Sequence, residues 1–204
     1  MEVNLLNCSH KFGREKIFSG LSLSAKTGEK WLIRGDNGSG KSTLLKILMG
    51  ALEADKGELS YRESERSFSK DEIYQHLSLC TPYFELIEEF TATEMFTFYS
   101  GFKNMKVNST EFMQLSLLEK QKNKRIKDYS SGMKQRLKLA LAITSNTKLL
   151  FLDEPLSNVD KKHSKWYQEL IQTMAMEKTI FIASNQQEDE YFCCEKEIDI
   201  QDYK

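Results

Sequence analysis

The chain has 204 residues, of which 40% are hydrophobic and 29% charged, and its net charge is -1. This composition excludes a disordered chain, and the near-neutral charge gives no bulk field that favours nucleic acid or an anionic membrane. No apolar run approaches the roughly 20 residues of a membrane span, and the polar first stretch with its early Glu2 argues against a signal peptide. We therefore expect a cytoplasmic protein without a nucleic-acid partner.

The cysteines and histidines give no sign of a metal site. The four cysteines form no CxxC pair and no zinc-ligand spacing, so we interpret them as small buried thiols. The three histidines are scattered along the chain and are interpreted as structural or surface residues.

The first part of the chain alternates in short extended pieces. These pieces are VNLLN, IFSGLSLSA and KWLIR. The LSLS run has period two, which predicts a half-exposed antiparallel strand. The third piece runs directly into a glycine-rich turn.

That turn, GDNGSGKST, matches the phosphate-loop pattern G-x-x-x-x-G-K-[ST] and lies between a predicted strand and a predicted helix. Gly35, Gly38 and Gly40 allow backbone N–H groups to converge on phosphate oxygens without clashes from Cβ atoms. The positive end of the following helix points at the same oxygens. Lys41 is predicted to reach the β- and γ-phosphates, and Ser42 to offer its hydroxyl to Mg²⁺.

After the loop, STLLKILMGAL predicts a helix, and GELSY and HLSLC predict strands. The polar stretch RESERSFSKDE between those strands is predicted to be a surface loop. From about residue 82 to residue 136 the pattern becomes helical.

The stretch YSSGMKQRLKLALA places Ser130, Ser131 and Gly132 at the start of a long helix. Small residues there expose backbone N–H groups and a positive helix end, which form a second phosphate-binding surface. One nucleotide would hardly need both surfaces from the same chain.

The run KLLFLDEP predicts a buried strand that ends in two acids. We assign Asp153 to the Mg²⁺ shell and Glu154 to the attacking water, which an adjacent carboxylate orients or deprotonates. Two acids after a strand are weak evidence alone, because Asp is also a common helix cap. The phosphate loop in the same chain favours the functional interpretation.

The end of the chain continues the alternation of helix and strand. An amphipathic helix is predicted over residues 159–177, a buried strand over TIFIA, and an edge strand at KEIDIQ. Asn185 follows the buried strand, where ligands of parallel sheets bind, so it is either a working residue or only a cap.

These elements predict an α/β fold: a P-loop NTPase core with a mostly parallel sheet, an N-terminal antiparallel β subdomain and an inserted α-helical subdomain. We expect one domain over 1–204. The core with its β subdomain would take 1–81 and 137–204, and the helical subdomain with the small-residue helix start would take 82–136.

Together these motifs resemble the ATP-binding cassette (ABC) transporter ATPases over essentially the full chain. The family signature L-S-G-G-Q is matched by residues 129–133, YSSGM, and is followed by Gln135 and Arg136. The order of phosphate loop, signature, acidic strand and the SNVD stretch at the family's D-loop position is very specific. Relatives with long coiled coils or two cassettes in one chain do not fit this sequence.

The resemblance implies ATP and Mg²⁺ as cofactors and a head-to-tail dimer, with itself or with another ABC ATPase, beneath a separate transmembrane permease subunit. In such a dimer the signature of one chain, here Ser130 and Gly132, caps the nucleotide held by the other chain. The aromatic Phe12 is implied to stack on adenine. The implied nucleotide-binding residues are Phe12, Gly35, Asn37, Gly38, Ser39, Gly40, Lys41, Ser42, Thr43, Ser130 and Gly132.

The sequence departs from the family in the signature and at two further positions. In the signature, Ser131 replaces a glycine, and Tyr129 and Met133 replace Leu and Gln. Elsewhere, Pro82 occupies the position of a Mg²⁺-binding glutamine, and Asn185 replaces a histidine that bonds the γ-phosphate. Proline has no side-chain ligand, so a water or a neighbour such as Glu85 would complete the Mg²⁺ shell. Asparagine donates an N–H but carries no positive charge, which predicts slow hydrolysis without the partner.

Two functions remain open on the sequence. The first is an ATP-hydrolysing transporter subunit on the inner face of the cell membrane, with Glu154, Lys41 and Asn185 as catalytic residues and Ser42 and Asp153 as metal ligands. By analogy it is similar to minimal exporter cassettes such as haem-exporter ATPases. The second is a non-transport ATP-dependent clamp or regulatory module with weak turnover.

Overall fold

The structure, a computed structural model, describes residues 1–157, 161–185 and 187–204, and for 161 and 162 it describes the backbone alone. Over this part of the chain it contains a four-stranded antiparallel sheet of order β2-β1-β4-β5 and a five-stranded parallel sheet of order β6-β7-β8-β3-β9. The strands are β1 (Glu2–Phe12), β2 (Glu15–Ala25), β3 (Lys30–Arg34), β4 (Lys56–Glu63), β5 (Arg66–Phe68), β6 (Leu77–Cys80), β7 (Leu149–Asp153), β8 (Thr179–Ala183) and β9 (Lys196–Asp199). The α-helices are α1 (Lys41–Leu48), α2 (Lys70–Ile73), α3 (Ala92–Ser100), α4 (Ser109–Leu115), α5 (Ser131–Thr144) and α6 (Lys161–Met174).

The antiparallel sheet follows from alternating side chains. In β2, Leu21 and Leu23 are buried whereas Ser22 and Ser24 are exposed, as the period-two pattern predicted. β1 pairs antiparallel with both β2 and β4, so the chain returns to this sheet after the phosphate loop. The predicted half-exposed antiparallel strand is confirmed.

The polar stretch RESERSFSKDE is structured, so the prediction of a surface loop was wrong. β4 and β5 form a hairpin with Arg62 opposite Ser67, and Ser64 at its turn has φ 53°. The Ser69 hydroxyl and the Glu72 carboxylate then form a capping box for α2. Only Phe68 of β5 is buried, so the hydrophobic signal of this strand is weak.

The parallel sheet is covered on both faces, and every residue of β7 and β8 is buried. Phe151 and Phe181 stack at 5.2 Å on the face that packs against α1 and the antiparallel sheet. Leu150 and Ile182 belong to the other face, which packs against the helical segment and α6. Continuous apolar runs therefore suit these central strands, because neither face meets water.

The carboxyl ends of three strands meet at one edge of the parallel sheet. In the ladder, Ile33 of β3 and Asp153 of β7 lie on either side of Ala183 of β8. The chain segments that follow these three strands therefore emerge side by side, and they contain the phosphate loop, the two acids and Asn185. β9 pairs with β3 at the sheet edge, as predicted for KEIDIQ.

The predicted helical segment contains α3, α4 and the start of α5, together with 3₁₀ turns at Glu119–Gln121 and Ile126–Asp128. α5 runs without a break across position 136/137, where the sequence suggested a subdomain boundary. The predicted helix over 159–177 ends earlier, at Met174, and positions 158–160 lie outside the described residues. Within the described parts of the chain, no helix combines the length and the apolar character needed to cross a membrane.

Candidate nucleotide site

The phosphate loop connects β3 to α1, which confirms the predicted strand–loop–helix context. Gly35, Gly38 and Gly40 have φ values of 149°, 75° and 110°. A Cβ added to Gly40 would lie 2.4 Å from Cγ2 of Ile17, so this position has no room for a side chain. The glycines therefore let the backbone pass close to β2 and leave its N–H groups available to phosphate.

Lys41 lies inside this loop and is buried. Its ammonium donates to the carbonyl oxygens of Gly35, at 2.8 Å, and Asp36, at 3.0 Å. Those neutral acceptors fix the charge at the centre of the loop. A polyphosphate bound there would meet a positive charge that is already in place.

The hydroxyl of Ser39 provides a further polar group in the loop. Its Oγ is buried and has no hydrogen-bond partner among the described residues. Buried polar atoms in proteins are nearly always hydrogen-bonded, so an orphaned hydroxyl in a phosphate loop fits a ligand contact.

Ser42 and Asp153, the two predicted metal ligands, contact each other. Burial raises the pKa of Asp153, and the neighbouring Ser42 hydroxyl lowers it as a hydrogen-bond donor. The nearby charge of Glu154 raises that pKa further. A buried carboxylate beside a hydroxyl is a hard-oxygen donor set, which suits Mg²⁺.

Glu154 follows β7 in a strained backbone conformation, with φ 46°. Its N–H donates to Ala183 O at 2.9 Å, which attaches it to the end of β8. The carbonyl of Pro155 accepts a hydrogen bond from Gln135 Nε2 at 2.8 Å. The backbone around this acid is therefore held from two other elements.

Asn185 lies against the phosphate loop. Its Nδ2 donates to Asn37 Oδ1 at 2.5 Å, and its own Oδ1 is buried without a partner among the described residues. Asn185 also lines a cleft of about 510 Å³, together with Gly35 and Asp36. The predicted catalytic set of Lys41, Glu154 and Asn185 is therefore brought to one edge of the sheet.

The remaining predicted nucleotide contacts lie elsewhere in the chain. Phe12 ends β1, is 54% exposed, and meets the His10 ring edge-on at 4.8 Å. Ser130 precedes α5 and accepts from the N–H of Met133 at 3.3 Å, which confirms that the signature residues open a helix. Across the described chain, no hydrogen bond joins the signature to the phosphate loop.

The position of the missing glutamine lies just after β6. Pro82 is exposed, as is Glu85, the residue considered as its substitute. Glu88 forms an ion pair with Lys134 of α5, so this acid is engaged within the chain. Of the SNVD stretch, Ser157 donates its N–H to Glu154 O at 3.0 Å, and 158–160 lie outside the described residues.

The sequence did not indicate several contacts of the site. Gln201 Nε2 donates to Asp36 Oδ2 at 2.6 Å, and Lys204 Nζ donates to Ser39 O at 2.9 Å, so the 3₁₀ turn Ile200–Tyr203 flanks the phosphate loop. Glu190, in the segment after β8, is a buried carboxylate that accepts hydrogen bonds from Leu156, after β7, and from Ser184. These residues belong to no short motif, and only the fold brings them to the site.

A phosphate loop, a buried carboxylate beside it and a second helix start with exposed small residues are the features that characterise the ATP-binding cassette class. The ABC transporter family profile matches residues 18–157. The chain belongs to this family, and the resemblance seen in its motifs is confirmed.

Two curated relatives illustrate the match in sequence. The Nod factor export ATP-binding protein I of Burkholderia orbicola is 30% identical over 201 residues, which cover 95% of this chain and 66% of that protein. ATP-binding cassette sub-family A member 17 of Mus musculus is 27% identical over 196 residues, covering 90% of this chain and 11% of that protein. The chain thus spans only part of the length of these relatives.

Two solved structures show the same fold. A putative ABC transporter ATP-binding protein from Pyrococcus furiosus superposes with a TM-score of 0.83 at 19% identity, covering 100% of this chain and 99% of that one. A dimeric ATP-binding cassette in a post-hydrolysis state, bound to ADP and Pi, gives 0.81 at 23% identity, covering 97% and 93%. These likenesses confirm the predicted α/β P-loop fold with its additional antiparallel sheet.

Proposed function

We propose that the chain is the ATP-binding and ATP-hydrolysing subunit of an ABC transporter. The observation that carries this proposal is the convergence of Lys41, the Ser42–Asp153 pair, Glu154 and Asn185 at one sheet edge. Two copies would enclose two ATP molecules, and closure and reopening of this dimer would drive a separate membrane subunit.

Each group of the site has a distinct role in binding. The exposed ring of Phe12 offers a face for adenine, and the phosphate loop with Lys41 takes the phosphates. Ser42 and Asp153 would hold Mg²⁺, which would neutralise negative charge on the phosphates when bound. The Ser42 hydroxyl and the Asp153 carboxylate are already in contact, so this pair needs little rearrangement to serve as ligands.

Hydrolysis would depend on Glu154 and Asn185. Glu154 accepts a proton from the attacking water at its carboxylate. Asn185 donates an amide N–H to a γ-phosphate oxygen, in exchange for its present bond to Asn37. Because this donor is neutral, it stabilises developing phosphate charge less than a protonated histidine would.

The second half of each site would come from the partner chain. Ser130 and Gly132 lie at the start of α5, with Ser130 exposed, and they make no hydrogen bond to the phosphate loop within the described chain. A helix start with free N–H groups binds anions. The cassettes of similar fold that were solved as dimers support this arrangement.

A membrane partner is supported by an exposed aromatic surface on the helical segment. Phe102 is 70% exposed, and Phe98, whose ring contacts that of Phe102 at 5.0 Å, is 44% exposed. Exposed aromatic clusters are typical of protein interaction sites. We place the chain on the cytoplasmic side of the membrane, and the names of the Nod factor relatives favour export as the direction of transport.

The replacement Glu154→Gln tests the enzymatic proposal. It keeps the side-chain volume and removes the base, so phosphate release is expected to fall at least about a hundredfold while ATP binding persists. Light scattering with ATP and Mg²⁺ should then detect a longer-lived dimer. If wild type and variant release phosphate equally slowly, the enzyme proposal is wrong.

A non-transport clamp with weak turnover is the second candidate. It is favoured by Pro82, which offers no metal ligand, and by Asn185, which carries no charge. Asn185→Ala is expected to lower kcat about ten- to a hundredfold, and Asn185→His to equal or exceed wild type. An unchanged kcat in the alanine variant would contradict the proposed hydrogen bond from Asn185 to the γ-phosphate.

A further inference from the structure

Glu190 is a buried carboxylate that none of the proposed catalytic steps uses. It is 2% exposed and lies in the segment after β8, close to both acids of the site. Burial raises the pKa of Glu190, and the charges of Glu154 and Asp153 raise it further. A carboxylate in such a position needs specific partners, because a buried charge without them is costly.

Both carboxylate oxygens of Glu190 have a partner. Oε1 accepts the N–H of Leu156 at 2.9 Å, and Oε2 accepts the hydroxyl of Ser184. Leu156 lies two residues after Glu154, and Ser184 lies immediately before Asn185. One side chain thus connects the loop of the predicted base to the loop of the predicted γ-phosphate contact.

The backbone of Glu190 is fixed independently. Its carbonyl accepts a hydrogen bond from the hydroxyl of Tyr167 at 2.8 Å, and Tyr167 is a fully buried residue of α6. The carboxylate is therefore anchored to the core of the domain. Because Glu190 is anchored in this way, its carboxylate holds Leu156 and Ser184 in fixed positions.

The strained conformation of Glu154 explains why such a connection matters. Residues with positive φ persist only where the surroundings hold them, and here φ is 46°. Three hydrogen bonds attach the segment to other parts of the chain: Glu154 N–H to Ala183 O, Gln135 Nε2 to Pro155 O, and Leu156 N–H to Glu190. Of the three, only the last involves a charged side chain, and bonds of this kind are the stronger ones.

We infer that Glu190 is a positioning residue for ATP hydrolysis, which fixes the loops of Glu154 and Asn185 relative to each other. It acts through those residues and touches no nucleotide itself. This inference rests on the catalytic roles proposed for Glu154 and Asn185.

The test compares Glu190→Ala and Glu190→Gln with Ser78→Ala, using ATP and Mg²⁺ with the full chain. Ser78 is a matched control, because its hydroxyl is also buried and bonds Thr147 at 2.8 Å near the opposite end of the sheet.

Glu190→Ala leaves two buried donors unpaired, and we expect kcat to fall about ten- to a hundredfold with KM changed less than about threefold. Glu190→Gln should recover most of kcat, because its amide can accept from Leu156 and donate to Ser184. Ser78→Ala should lower the unfolding midpoint and leave kcat unchanged.

The double variant Glu190→Ala with Glu154→Gln separates the inference from the proposed function. If Glu190 acts through Glu154, the second change adds little to the loss already caused by Glu154→Gln. A wild-type rate in Glu154→Gln alone would overturn the role of the base, whatever Glu190 does. A wild-type kcat in folded Glu190→Ala would overturn the inference on Glu190.

A merely structural role is also distinguishable. If Glu190→Ala and Ser78→Ala lose stability and kcat alike, Glu190 has no positioning role and the inference is overturned. If Glu190→Ala fails to fold, Ser184→Ala decides, because it removes one partner of the carboxylate and leaves the carboxylate itself in place. A lowered kcat with unchanged KM in that variant supports the inference, and an unchanged kcat overturns it.

Discussion

At the scale of single residues, Gly40 shows the tightest steric requirement of the phosphate loop. Its φ is 110°, and an added Cβ would lie 2.4 Å from Ile17 Cγ2. We expect Gly40→Ala to lower the free energy of unfolding by about 2–4 kcal/mol, because it adds both backbone strain and overpacking.

The matched control for Gly40 is Gly38→Ala, measured by urea unfolding without nucleotide. Gly38 has φ 75°, but an added Cβ would meet nothing within 4 Å. It should therefore cost only about 1 kcal/mol, the strain of the left-handed conformation alone. Equal losses in the two variants would show that contact with Ile17 is not what restricts Gly40.

Lys178 gives the protein a pH-dependent stability. It is fully buried, donates to Ile143 O and Ser145 O, and burial lowers its pKa to about 7. Between pH 7 and the ordinary lysine value of about 10.4, the unfolded chain binds more protons than the folded one, so stability rises with pH.

The variant Lys178→Met lacks this contribution. The difference in unfolding free energy, wild type minus variant, should rise by up to about 1.4 kcal/mol per pH unit from pH 7 to 9. A constant difference in urea titrations over this range would contradict the prediction.

The site residues that could be predicted from the sequence are those that belong to short motifs. Lys41 and Ser42 follow the glycines of one motif, and Asp153 and Glu154 end one apolar run, so a short window contains each signal. Glu190 and Gln201 reach the site through side chains whose partners, Leu156 and Asp36, are distant in sequence. The packing of β8, β9 and α6 brings these partners together, so no sequence pattern predicts the contacts.

At the scale of elements, one residue at the start of α5, Ser130, combines a structural role with a proposed functional one. Ser130 caps the helix by accepting from Met133 N–H, whereas Ser131 lies within the first turn and is exposed. We expect Ser130→Ala to lower the free energy of unfolding by about 1 kcal/mol, the usual loss of an N-cap. Ser131→Ala, the control, should leave stability unchanged or raise it slightly, since alanine is the better helix former. Thermal unfolding of both variants measures this, and equal stability would exclude the cap.

Elements with a strong hydrophobic pattern were predicted accurately from the sequence, whereas elements with a weak hydrophobic pattern were not. β7 and β8 are buried at every residue and apolar except at Asp153 and Thr179, because helices and a second sheet cover both faces. β5 has three residues, of which two are exposed, so its sequence looks like that of a loop. Its pairing with β4 and the capping box of α2 stabilise it, and neither depends on hydrophobic period.

At the scale of the whole molecule, the two surfaces proposed to bind phosphate belong to different elements of the fold. The phosphate loop emerges from the parallel sheet, and the signature opens α5 beside the helical segment, where Lys134 pairs with Glu88. The antiparallel sheet contributes the exposed ring of Phe12 at the end of β1, which pairs with β2, and Ile17 of β2 lies against Gly40 of the loop. Sequence order alone predicted both surfaces, but the strand order that keeps them apart is a property of the packed chain.

This separation leads to a prediction about mixed dimers. Lys41→Ala removes the charge of the phosphate loop, and Gly132→Asp places a carboxylate at the signature, where it would repel phosphate. Asp is favourable in the first turn of a helix, so the second variant should fold normally. Each variant alone should be inactive, because every site in its dimer has one defective half.

In a mixture of the two variants, half of the dimers would be mixed. Each mixed dimer has one intact site, built from the phosphate loop of the Gly132→Asp chain and the signature of the Lys41→Ala chain. An equal mixture should therefore recover roughly a quarter of wild-type phosphate release, if the sites act independently and chains pair at random. Hydrolysis within a single chain would instead leave Gly132→Asp active alone and the mixture no better than the average of its parts. The dependence of the recovered rate on protein concentration would confirm that the intact site forms between two chains.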